Sequence, residues 1–247
     1  VVHSMNKKKY IILLILLFSV TAAIDSALSE KNFKWMKISG NWEAVKADDG
    51  CFHLTESKAK TYPFGYSELI NMNSIITLNP VGQYSKITFT LEAENPVDDP
   101  VEMMYFFAAK DYRNFHAFRL RGDSTKLNTI RLIRSLDKDT SLPRNVKWNF
   151  IIEEIASKGY ALDYRKKHRF EIRFAGRWVQ LRINGRKVLS TSTDNPLNSG
   201  KIGFSNRNAT LKIADLKVYN GRRIVFRDDF SEDTIKRYGV RVKRKKD

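Results

Sequence analysis

The sequence predicts an all-β protein: two antiparallel sheets packed as a sandwich, preceded by the helix of an N-terminal signal peptide. Three observations carry this. From residue 30 onward, apolar and polar residues alternate with period 2 in run after run. Turn residues separate these runs at the short intervals typical of sandwiches. Before residue 30 stand a basic stretch and a short apolar run, a pattern that belongs to export and not to a packed core.

The N-terminal segment 1–29 reads as an upstream extension followed by a cleavable signal peptide. Val1 to Ser4 precede Met5; Lys7, Lys8 and Lys9 form the positive region, and 10–20 the apolar one. Small residues follow at Thr21-Ala22-Ala23 and Ala27-Leu28-Ser29. Asp25 interrupts the segment well short of the ~20 apolar residues a spanning helix needs. The expected location is therefore periplasmic or extracellular. Residues 30–231 form the expected single domain, and 232–247 a basic C-terminal tail.

Within that domain, 86–92 is a strand with Ile87, Phe89 and Leu91 on one face. Segments 101–109 and 114–121 form a pair across 110–113, and 127–133 is a further strand of ambiguous facing. Residues 150–156 fit either a strand, with Phe150 beside Trp148, or a helical stripe through Ile151, Ile152 and Ile155. The clearest case is 168–174, with Phe170, Ile172 and Phe174 against Arg169, Glu171 and Arg173. Ala175-Gly176 reverses the chain into 178–183. Asn184-Gly185 then marks a type I′ hairpin, because both central residues of that turn need positive φ. Segments 186–190, 201–205 and 210–219 complete the pattern, with loops at 95–100 and 137–144.

Composition narrows the function classes. A net charge of +17 favours acidic partners such as nucleic acid, anionic lipid or acidic polymer; export would separate the chain from nucleic acid. Cys51 is the one cysteine, so an intramolecular disulfide is excluded, and the four histidines are too scattered for a zinc-binding spacing.

Two segments resemble a known family. Residues 39–45 (SGNWEAV) and 48–54 (DDGCFHL) look like the opening hairpin of laminin G-like and 3-keto-disaccharide hydrolase-type jelly rolls. Residues 168–219, with HRFEIRFAGRWVQLRINGRKV and then SGKIGFSNRNATLKIADLKVY, resemble the last strands of that concanavalin A-like superfamily. Family 16 glycoside hydrolases are similar at a distance. The resemblance implies a jelly-roll sandwich; its motifs are structural and carry no chemistry by themselves. The segment 222–231 (RRIVFRDDFS) resembles the first strand of such domains but stands last, either beside the first strand or as the remnant of a second unit.

Family 16 chemistry needs an E-x-D-x-x-E strand, and none is found. Glu92 and Glu94 run into Asn95-Pro96, while Glu153-Glu154 and Asp228-Asp229 are adjacent and so face opposite sides of a strand. No catalytic residue is assigned. The ligand-binding candidates are Trp178, Gln180 and Arg182 on the polar side of one strand, and Tyr62 and Tyr66 in an aromatic loop. No cofactor is expected apart from calcium, whose weak candidates are Asp98 and Asp99, with Asp48 and Asp49 behind them. The expected function is an exported, non-catalytic binding module for a glycan or an envelope protein. The alternatives are an enzyme of the 3-keto-disaccharide hydrolase type, which would have to gather His53, His116, Glu68 and Glu102, or a structural component of a surface or filament assembly.

Overall fold

Period-2 alternation puts every second side chain of a strand on one face, so each strand must find a partner layer for its apolar side. The computed structural model describes residues 34–46, 52–56, 72–94, 100–123, 126–137, 150–231 and 235–237. The signal-peptide segment 1–29, Cys51 and the loops at 95–99 and 138–144 lie outside them, as do the basic residues at 241–246. The described chain is strands and turns: β1 (Trp35–Lys37), β2 (Trp42–Lys46), β3 (Phe52–Glu56), β4 (Asn73–Thr77), β5 (Lys86–Glu94), β6 (Glu102–Ala109), β7 (Phe115–Gly122), β8 (Leu127–Asp137), β9 (Phe150–Leu162), β10 (His168–Ala175), β11 (Trp178–Ile183), β12 (Arg186–Ser192), β13 (Lys201–Arg207), β14 (Thr210–Asn220), β15 (Arg223–Asp228) and β16 (Ile235–Arg237).

Two sheets form. One runs β16-β1-β4-β13-β6-β7-β8-β9 and is called the first sheet here; the second runs β12-β11-β10-β5-β14-β3-β2, with β15 also on β14. All ladders among the described residues are antiparallel except the parallel pair β1–β16. Strands late in the chain insert between early ones, β13 between β4 and β6, and β14 between β5 and β3. Hairpins alone would not give this order. It is the jelly-roll crossing that the two family-like segments imply.

The core lies between the sheets and is dominated by aromatic rings. Phe89 on β5 stacks on Phe170 of its own sheet at 5.2 Å. Across the interface it meets Tyr105 at 4.7 Å and the edge of Phe204 at 5.3 Å. Ile87, Leu91, Ile172, Val179 and Leu181 complete the second sheet's inner face, and Met103, Phe118, Leu120, Ile130 and Leu132 that of the first. The first sheet is buried on its other face as well, where Met72, Ile76, Met104, Phe106, Phe115 and Ile133 form a second apolar cluster. That explains the near-continuous apolar run of β6. It also resolves the facing of β8: Ile130 and Leu132 point to the main core, and Ile133 to the second cluster.

One local expectation is met and two open ones are decided. Asn184 and Gly185 adopt φ of 49° and 78° between β11 and β12, as the turn requires. Asn184 also locks the neighbouring strand: its Oδ1 accepts from Arg169 N, and its amide donates to His168 Nδ1 at 2.9 Å. Residues 150–156 belong to the long edge strand β9 and not to a helix. In the 222–231 segment β15 is the hairpin partner of β14, so it forms no ladder with the first strand, although Asp228 and Phe230 reach Trp35 on that strand.

Beyond β15 the chain is tied back to the start of the domain. Asp228, the buried last residue of β15, accepts from the Trp35 indole Nε1–H at 2.7 Å and from Phe230 N at 2.8 Å. Phe230 sits at φ 57°, where a bulky residue is held only by its surroundings; its ring packs against Trp35 at 6.0 Å. Ile235–Arg237, inside the expected basic tail, then runs parallel to β1. Replacing Trp35 by Phe keeps most of the packing but removes the donor to Asp228 Oδ2, leaving Phe230 N and Lys34 on the other oxygen of the buried carboxylate. Trp35→Phe is expected to lose about 1–3 kcal/mol in urea denaturation; an unchanged midpoint would show that the indole N–H does not hold Asp228.

Candidate functional site

At one rim of the sandwich the edges of the two sheets approach each other. One wall of the gap is built from the first sheet. His116 on β7 stands directly across from Arg134 on β8, and Arg134 across from Glu153 on β9. The other wall is the chain leaving β12, where Thr193 donates its N–H to Arg177 O at 2.9 Å and its hydroxyl to Asn195 O at 2.7 Å. Between them lies a cleft of about 100 Å³ lined by His116, Arg134, Ser192, Thr193, Asp194 and Asn195, with Ile155 and Leu197 as its apolar parts.

Charge in this cleft is nearly balanced. Arg134 Nε donates to Glu153 Oε2 at 2.9 Å, and its Nη1 lies 3.6 Å from Asp194 Oδ2 on the opposite wall. His116 lies along the Phe107 ring with centroids 6.4 Å apart, and its Nδ1 has no hydrogen-bond partner among the described residues. Burial, reinforced by the Arg134 charge, pushes its pKa down to about 4. At neutral pH the imidazole is therefore uncharged, with one donating and one accepting nitrogen. Hydroxyls, an amide, a carboxylate, a guanidinium and a neutral imidazole converge here, a set suited to polyhydroxylated ligands.

Trp178, Gln180 and Arg182 share one face of β11 on the outside of the second sheet. Trp178 is 58% exposed at the start of that strand and pairs directly with Ser192, which lines the cleft. Arg182 donates to Gln180 Oε1 at 3.2 Å and to Gly185 O at 2.5 Å, and stands 3.7 Å from Glu171. Tyr62, Tyr66, Asp98 and Asp99 lie outside the described residues, as do Asp48, Asp49 and Glu68. Among the described residues no group of three or more His, Cys, Asp or Glu side chains is placed to hold a metal ion.

The residues an enzymatic reading would gather are not brought together. His53 is on β3 in the second sheet, while Glu102 and His116 are on the first. Glu102 pairs with Arg121, five positions along the ladder from the Phe107–His116 pair, an odd offset that puts Glu102 and His116 on opposite faces. Glu102 is fully buried and accepts from Arg119 Nε at 2.5 Å, with Arg121 and Arg207 directly across from it. Its nearest described role is thus an internal ion pair. Arg134, Ser192, Asp194 and Asn195 went unread in the sequence, because no local pattern joins residues from β8 and the β12–β13 connection.

No family model matches the chain, and no curated protein does. Solved structures do. The carbohydrate binding module CBM66 from Bacillus subtilis superposes with a TM-score of 0.52 at 13% identity, over 76% of this chain and 96% of that one. A family 16 endo-glucanase from Bacteroides ovatus gives 0.49 at 9% identity, covering 75% and 94%. A β-glucanase from Bacillus licheniformis gives 0.48 at 11%, covering 75% and 92%. At 13% identity the likeness to the binding module shows the fold, a two-sheet jelly-roll sandwich, and nothing finer.

Two measurements test the electrostatics. Between pH 6.5 and about 4 the unfolded chain carries a proton on His116 that the folded chain refuses. The stability contributed by the neutral imidazole is complete above pH 6.5 and is lost as pH falls toward 4. Thermal melts of His116→Gln should therefore depend less steeply on pH across that window than melts of the parent. Glu102→Ala leaves Arg119 buried without its carboxylate and should cost about 3–5 kcal/mol, whereas Glu102→Leu combined with Arg119→Met should recover most of it. Chemical denaturation of the three variants distinguishes a structural ion pair from a dispensable one.

Proposed function

We propose that this protein is an exported, non-catalytic carbohydrate-binding module that holds a saccharide at the rim cleft, with Trp178 as the stacking platform beside it. The observation that carries this reading is the meeting of a polar cleft and an exposed indole: Ser192 lines the cleft and pairs directly with Trp178. A sugar ring offers an apolar face to an aromatic ring and a rim of hydroxyls to side chains such as Asp194, Asn195 and the neutral His116. The fold shared with a carbohydrate binding module supports the same class of ligand. Export rests on the basic and apolar segments at 7–20.

Binding without cleavage is supported at the cleft by Arg134, whose guanidinium engages both nearby carboxylates, Glu153 and Asp194, and also by the spacing of the acids on the first sheet's outer face. Among the described residues there, Glu102 on β6 is paired with Arg119, and Glu154 on β9 lies 3.0 Å from Arg131. Strands β7 and β8 separate the two acids. Three strand spacings of about 4.8 Å put them at least ~14 Å apart. Register adds an offset along the strands, because Glu154 shares a row with Phe106 and not with Glu102. That separation exceeds the roughly 5–9.5 Å that glycoside hydrolysis uses.

Affinity electrophoresis against neutral soluble polysaccharides (laminarin, levan, xylan and dextran) tests the reading. At least one should retard the parent protein. Trp178→Ala should weaken that binding about tenfold, the ~1.4 kcal/mol scale of a lost aromatic contact, with an unchanged melting temperature because the side chain is exposed. Retardation by none of the four, or full retention in Trp178→Ala, would remove the proposal.

A further inference from the structure

The outside of the second sheet carries a charge pattern that the rim cleft does not use. Cross-strand register places Lys217 opposite Arg227, Lys86 opposite Arg173, and Arg182 opposite Lys187. Each is a like-charge pair facing the same side of an antiparallel ladder. Such pairs destabilise a sheet, and opposite charges are the usual arrangement there. Neighbouring ladders align them further. Lys217 and Thr88 share a row with Glu171, Arg182 and Lys187, while Tyr219 and Lys86 share the next row with Arg173, Gln180 and Ser190.

These residues form a file. In strand order β15, β14, β5, β10, β11, β12, each strand gives one cation: Arg227, Lys217, Lys86, Arg173, Arg182 and Lys187. Five strand spacings of about 4.8 Å make the file ~24 Å long. Arg227 and Arg173 are largely exposed, with side chains 63% and 54% accessible, and Lys187 is exposed too. Glu171 is the one carboxylate in the two rows among the described residues, and it steadies the Arg173 and Arg182 guanidiniums at 2.6 and 3.7 Å. Lys86 is also held in place, its Nζ 4.1 Å from the centre of the Tyr219 ring.

We infer that this outer face is a docking surface for a linear anionic polysaccharide, a sulfated or uronate chain lying across the strands. Glu171, Asp215 and Asp229 offset part of this charge, at 2.6 Å from Arg173, 3.4 Å from Lys217 and 4.0 Å from Arg227. Six cations against three carboxylates leave a positive surplus that a polyanion would neutralise. A single file of cations suits a chain better than a plane of lipid headgroups. The groups beside the file, the Gln180 amide and the Ser190 hydroxyl, match a polymer whose anionic groups alternate with hydroxyls. The inference stands on cross-strand register and charge, independently of the cleft and its saccharide.

Binding of the full chain to dextran sulfate, with uncharged dextran as reference, reads this surface directly. Affinity for dextran sulfate should fall as salt is raised. Lys187→Glu with Lys217→Glu should weaken it at least tenfold. The charge-matched control Lys110→Glu with Lys126→Glu, both exposed and off this face, should change it less than twofold. Lys217→Gln alone guards against a folding artefact: it removes the like-charge pair with Arg227 and only a solvent-exposed ion pair with Asp215, so it should melt close to the parent yet bind dextran sulfate more weakly. Equal losses in the face and control variants would reduce the effect to net charge and overturn the inference. So would binding to phosphatidylglycerol vesicles without binding to dextran sulfate. Neutral-polysaccharide binding at the cleft is read separately, so either conclusion can fail without the other.

Discussion

The contact on which the architecture turns is the aromatic junction at Phe89. Its ring lies on Phe170 within one sheet and meets Tyr105 and Phe204 of the other. Those four residues come from β5, β6, β10 and β13, so the junction joins early and late parts of the chain at the centre of both sheets. Phe204 in turn contacts Trp35 at 6.0 Å, which carries the packing out to β1 and the Asp228 anchor. An interior this dense has little room for adjustment, and a strand that loses its place in it loses its outward side chains as well. The positions of the rim and of the outer faces follow from that junction.

The rim cleft follows from this constraint. β7, β8 and β9 project past the core on one side, and the connection after β12 folds toward them on the other. Side chains of inward parity near that edge, such as His116 and Arg134, share the gap with the core residue Leu197 and with polar residues after β12. A cleft with mixed chemistry results. Burial of His116 beside Arg134, which makes its imidazole neutral, is a by-product of the same geometry.

Charge is distributed in a way that the total conceals. The chain as a whole carries +17, yet Arg134 in the cleft is flanked by Glu153 and Asp194. On the first sheet Arg119 is consumed by Glu102. On the second sheet's outer face, by contrast, cations oppose cations across three ladders. The same residue types therefore serve internal neutralisation in one place and an outward field in another. Register decides which.

The sequence by itself determined most of the strands from residue 86 onward, the hairpin at Asn184-Gly185 and the inward positions of β5, β10 and β11, but not β1, β4 or β16. These depend on alternation and turn chemistry, which act between residues close in the chain. It also placed Trp178, Gln180 and Arg182 on one polar face, since period 2 is enough for that. The facing of β8 needed the second apolar cluster, because an apolar run buried on both sides has no alternation to read; the nature of β9 needed its pairing with β8, because its three isoleucines fit both periods. The pairing of β15 with β14 and the capture of Asp228 by Trp35 depended on which edges the fold left open. The cleft and the file of cations belong to tertiary structure alone. Their members are far apart in the chain, and only the order and register of the strands, set by non-local packing, bring them side by side.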